Sequence, residues 1–123
     1  MVKEGRSINI AQDWDGLNQD EAISLTTSYQ NVLTIKSMKF RNITVLLHIV
    51  GAAGNFKIFG TTKQTPDTSD VTKDEWYEEV AETALSADVT NKARISGEYT
   101  YLVVQMKAGA GTPTGKVWWR GMN

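Results

Sequence analysis

The residues best suited to chemistry gather near the start of the chain, where Asp13-Trp14-Asp15-Gly16-Leu17-Asn18-Gln19-Asp20-Glu21 sets four carboxylates around a glycine. Such oxygens are the hard ligands that calcium prefers. An EF-hand loop, however, needs a third oxygen ligand before its glycine and a glutamate at the twelfth position, and Gly16 comes two positions early. A calcium site would have to use Asp13, Asp15 and Asp20 without the full ligand set, and an Asp-Gly turn accounts for the same residues. No other metal and no cofactor is expected. His48 is the single histidine and there is no cysteine, which removes thiolate metal sites, cysteine nucleophiles, disulfides and paired imidazoles. His48 lies within an apolar run, where a neutral imidazole fills space and needs one hydrogen bond, and no nucleophile or orienting group is spaced to serve it. There is no Gly-x-Ser-x-Gly elbow and no phosphate-binding Gly-x-x-x-x-Gly-Lys loop, and Gly109-Ala110-Gly111 lacks the third glycine of a dinucleotide fingerprint. The expectation is a protein without catalytic residues.

The other candidates are aromatic. Trp118 and Trp119 are neighbours, so on a strand their side chains face opposite ways, one toward the core and one toward the surface. An exposed tryptophan between Lys116 and Arg120 suits a protein interface or a sugar-stacking platform. The alternative is an edge tryptophan covered by the protein's own arm or loop. Residues 1–20 are polar, with Ile8, Ile10, Trp14 and Leu17 as the sizeable apolar side chains after Val2, and read as an extended arm with Ile8, Ile10 and Trp14 as anchors.

What must position these groups is one domain. The 123 residues are 41% hydrophobic, carry 13 basic and 14 acidic side chains and include only 2 prolines. That length supports one ordinary core, folded without disulfides or metal. A net charge of -1 is far from the basic excess that binding to a phosphate backbone needs. No long apolar run suggests a signal or a membrane span, so the expectation is a protein made in the cytoplasm, with no nucleic-acid and no membrane partner. The charge is uneven: residues 61–91 hold two basic and eight acidic side chains, residues 92–123 five basic and one acidic. Such segments either form two solvated faces or set the register of docking between copies or onto a partner.

Valine, isoleucine and threonine make up about a quarter of the chain, which favours strands. Ile43 to Val50 puts Ile43, Val45, Leu47 and Ile49 on one face and reads as a central strand. Gly51-Ala52-Ala53-Gly54-Asn55 followed by Phe56 to Gly60 reads as a hairpin with a five-residue loop. Ile23 to Thr27, Asn31 to Ile35, Tyr99 to Lys107 and Lys116 to Arg120 read as further strands, with 61–74 a long exposed loop. Residues 75–85 are ambiguous: Thr72-x-x-Glu75 fits a capping box, and Trp76, Val80 and Ala84 fit both a short helix and a strand. The predicted fold is all-β, a single antiparallel β-sandwich over 21–123 with an N-terminal arm over 1–20.

Tyr99 to Lys107, the upstream Trp76, the hairpin ending at Gly60 and the terminal Gly-Lys-Val-Trp-Trp-Arg-Gly together resemble the small β-sandwich virion proteins of tailed bacteriophages. The resemblance spans residues 23–120 as a pattern of strands. It implies a strand at Trp76 and a structural role on the capsid surface, decorating or cementing the head lattice, with the major capsid protein and copies of itself as partners. A tail or head-completion component of the same virion differs from this in copy number. A second class is a carbohydrate-binding module in which Trp118 or Trp119 and Tyr101 stack on sugar faces.

Overall fold

A computed structural model describes residues 14–17, 20–97 and 99–123. Ile8, Ile10 and Asp13 lie outside the described residues. Nine strands follow one another among the described residues: β1 Trp14–Gly16, β2 Ile23–Ser24, β3 Gln30–Lys36, β4 Asn42–Val50, β5 Gly54–Thr61, β6 Tyr77–Leu85, β7 Thr90–Ser96, β8 Tyr101–Ala108 and β9 Thr114–Met122. They form two antiparallel sheets, β1-β3-β8-β5-β6 and β2-β9-β4-β7, packed face to face as the all-β sandwich that the composition predicts.

The connectivity is that of a long hairpin rolled up on itself. The pairings nest, β5 with β6, β4 with β7, β3 with β8 and β2 with β9, and the roll is closed by β4 against β9 and β5 against β8. Nested pairing shared between two sheets is the jelly-roll form of the sandwich. Each strand of the first half therefore crosses to the other sheet before the next begins. For this reason Gly51 to Asn55 is not a hairpin loop. Residues 51–53 carry the chain between sheets, with Gly51 at φ +103, and β5 takes its neighbours from β6 and β8.

Alternation places the core. Ile43, Val45, Leu47 and Ile49 of β4 are buried, as are Leu102, Val104, Met106 and Ala108 of β8 and Val117 and Trp119 of β9. A bulge at Val32 turns Val32 and Leu33 inward in succession. Trp14 to Leu17 belong to this body: β1 pairs with β3, Leu17 N–H donates to the Val32 carbonyl, and Trp14 and Leu17 are in the core. Gly54 has no room for a side chain, because a Cβ there would sit on the Lys107 carbonyl oxygen and 2.7 Å from Ile49 Cδ1. Gly54→Ala is expected to cost about 1–3 kcal/mol, read as a lowered urea midpoint.

Residues 77–85 form a strand, not a helix. β6 runs along the open edge of β5, and the capping-box partners are used elsewhere. Thr72 donates to Asp70, and Glu75 accepts from the Asp67 amide at 2.8 Å. The 62–76 connection is less exposed than its composition predicts. Its Val71 and Trp76 are buried against Val103 on the outer face of the β1-β3-β8-β5-β6 sheet, with Phe59 and Tyr101 packed beside them.

Candidate functional site

The outward positions of β4, β7 and β9 form one face. Register brings Leu46 between Trp118 and Lys92, Thr44 between Arg120 and Arg94, and His48 between Lys116 and Thr90. The centre is therefore apolar, Leu46 against Trp118, with the exposed Met122 and Val50 toward its two ends. Around it stand Lys92, Arg94, Lys116 and Arg120, and no outward position of the three strands carries a carboxylate. A cleft of about 300 Å³ opens on this face, lined by Thr44, Leu46, Trp118, Trp119, Arg120 and Met122.

The two tryptophans separate as strand geometry requires. Trp119 is 8% exposed and meets Phe40 edge to face at 5.8 Å, whereas Trp118 is half-buried and its indole N–H donates to Asp20 Oδ1 at 2.9 Å. Trp118 and Arg120 thus lie on the surface, and Trp119 reaches the cleft only from the core side. Trp14 is 4% exposed, a core residue and not an accessible anchor. Asp15 stands opposite Thr34 on one sheet while Asp20 is bonded to Trp118 of the other. Among the described residues no three His, Cys, Asp or Glu side chains gather to hold a metal ion. His48 Nδ1 lies 2.9 Å from the Thr90 hydroxyl.

The opposite face has a different electrostatic character. Lys57 pairs with Glu78 at 3.3 Å, Lys107 with Glu82 at 3.4 Å, Lys63 with Glu75 at 2.9 Å and Lys73 with Asp67 at 2.8 Å. Tyr29 is sandwiched there, its ring 4.9 Å from Lys57 Nζ and 5.0 Å from Lys107 Nζ, its hydroxyl donating to Glu82 at 2.7 Å. Burial, and then Glu82, raise the Tyr29 hydroxyl well above its ordinary value. By contrast, Lys92, Arg94, Lys116 and Arg120 have no ion-pair partner among the described residues. Tyr101 projects from this second face, so it and Trp118 sit on opposite sides of the molecule and cannot form one stacking platform.

The 62–76 connection is held by its own carboxylates. Lys73, then the Ser69 hydroxyl and amide, keep the Asp67 carboxyl far below its ordinary 3.8. The Asp67 amide and Lys63 lower Glu75 from 4.5. Groups lowered in the folded state stabilise it above their ordinary values, and that stabilisation is lost as pH falls through the lowered ones. The Trp76 indole N–H, which donates to the Asp67 carbonyl, is expected to keep its folded NMR position as pH falls through 4.5 and 3.8, and to lose it only at lower pH. A connection that melted within the ordinary carboxylate range would contradict this.

Leu46, Thr44, Lys92, Arg94 and Met122 complete the site around Trp118 and were not singled out by sequence. Their only advance signal is the basic excess of residues 92–123 and the outward half of the β4 alternation. Among the described residues no helix is long and apolar enough to cross a membrane. Set beside known proteins, the chain matches no protein-family model and no curated protein.

Proposed function

We propose that this chain is a non-enzymatic virion structural protein of the capsid-decoration type, docking through the outer face of the β2-β9-β4-β7 sheet onto an acidic, apolar-centred surface of the head lattice. The observation that carries the docking reading is the contrast between faces: on one, an apolar centre among four cations that have no ion-pair partner among the described residues; on the other, Lys57, Lys63, Lys73 and Lys107 each paired with a carboxylate. A tryptophan flanked by arginine and lysine is the composition of interface hot spots, and such cations steer association with an acidic partner. The virion assignment itself rests on the resemblance in strand pattern. The jelly roll hosts viral capsid and lectin domains alike, so it admits the reading without selecting it.

The test is co-sedimentation of the purified full chain with empty heads of candidate tailed phages, after light scattering of the chain alone. Saturable binding in fixed stoichiometry, weakened by added salt, is expected. A folded chain that stays in the supernatant at low salt with every head tried would overturn the proposal.

A further inference from the structure

On the face opposite the docking surface lies a second cleft, of about 370 Å³, at the lower end of the range of small-ligand sites (roughly 300–1,000 Å³). Its floor is the outward side of the sheet, where Asp15 of β1 stands beside Thr34 of β3 and Lys36 of β3 beside Tyr101 of β8. Its far wall is the 62–76 connection, which contributes Thr65 and Thr68. That wall is fixed from several sides. Asn31 donates to the Thr68 and Ser69 carbonyls at 3.3 and 3.4 Å, and the Trp76 indole to the Asp67 carbonyl at 3.1 Å. Buried Val71 and Trp76 clamp the connection onto Val103. A surface connection this heavily bonded has already met the ordering cost that a ligand would otherwise meet.

The lining defines what fits. Among the described lining residues one ammonium and one carboxylate balance, which favours neither a phosphate nor a cation. Three threonine hydroxyls each offer a donor and acceptor sites, the ammonium donates, and the half-buried Tyr101 adds a ring and a hydroxyl. A neutral ligand with many hydroxyls and an apolar face answers each of these groups. We infer that this cleft binds a neutral saccharide, one or two sugar units of a glycan, with Lys36 and the three threonines taking its hydroxyls and Tyr101 its ring face. The site is independent of the docking face, shares no residue with it, and stands or falls separately.

The test uses the full chain on an array of bacterial, plant and animal glycans, followed by NMR titration with the free oligosaccharide that binds best. Binding is expected to saturate and to perturb the amides of Thr65 and Thr68. Lys36→Gln and Thr65→Val, both at exposed positions, should each weaken it by about tenfold without lowering the melting temperature. Val89→Ser, in the exposed turn before β7, should leave it unchanged. No binding above background by the folded chain would overturn the inference, as would binding that both Lys36→Gln and Thr65→Val leave intact. Neither result bears on co-sedimentation with phage heads.

Discussion

Replacing Trp14 by alanine is expected to cost about 3–5 kcal/mol of folding stability, the loss typical of a buried tryptophan emptied to a methyl group. Trp14 is 4% exposed, opposes Ile35 across the β1–β3 ladder and belongs to the main core cluster. Domains of this size have stabilities of about 5–15 kcal/mol, so the variant would lose a large share of the total. The measurement is the urea midpoint at constant m-value. An anchor reaching out to a partner would leave that midpoint unchanged, and such a result would place Trp14 outside the core.

Trp118→Ala separates binding from folding in the opposite sense. Trp118 is half-buried and outward, so its loss should move the melting temperature little. As the aromatic centre of the proposed docking face, it should weaken binding to phage heads by about 2 kcal/mol or more, roughly thirtyfold. The co-sedimentation isotherm, taken beside a thermal melt, reads both quantities. Paired charge reversal, Lys92→Glu with Arg120→Glu, should remove the salt dependence as well as the binding. Unaltered binding by the folded Trp118→Ala variant would sink the docking role of this face.

Much of the fold was legible because the strong alternations are local. β4 and β8 announce themselves through Ile43 to Ile49 and Leu102 to Met106, and the opposite facing of Trp118 and Trp119 follows from the period of a strand. What alternation does not contain is the identity of the neighbour. Phe56 to Gly60 is a strand, as read, but its partners lie in β6 and β8 and not in the strand just before it. β7 escaped notice because only Ala93 and Ile95 turn inward, the modest apolar load of an edge strand. For residues 75–85 the spacing of four is both nearly one helical turn and an even step along a strand, and only the free edge of β5 decides between them.

The sites follow the same division. The tryptophan pair and its flanking cations were readable; Leu46 as its partner was not, since that contact depends on register between strands far apart in sequence. The polar cleft was hidden as a site: Asp15 and Tyr101 were readable only as a calcium-ligand candidate and a sugar-stacking ring beside Trp118 or Trp119, because β1, β3, β8 and the 62–76 connection meet there only after the sheet has formed. Chemistry assembled from distant segments leaves no spacing to read.

The nested pairing also governs when the protein can fold. β9 is the last of the nine strands to be synthesised, yet it lies inside its sheet between β2 and β4. Until it leaves the ribosome, β4 lacks one of its two neighbours, β2 has none, and Ile43, Val45 and Leu47 have no completed sheet beneath which to hide. Closure of this sheet must wait for β9 and then bring its longest loops together, so the nascent chain carries an exposed apolar strand from the emergence of β4 until that of β9 and folds with the slowness of non-local β pairing.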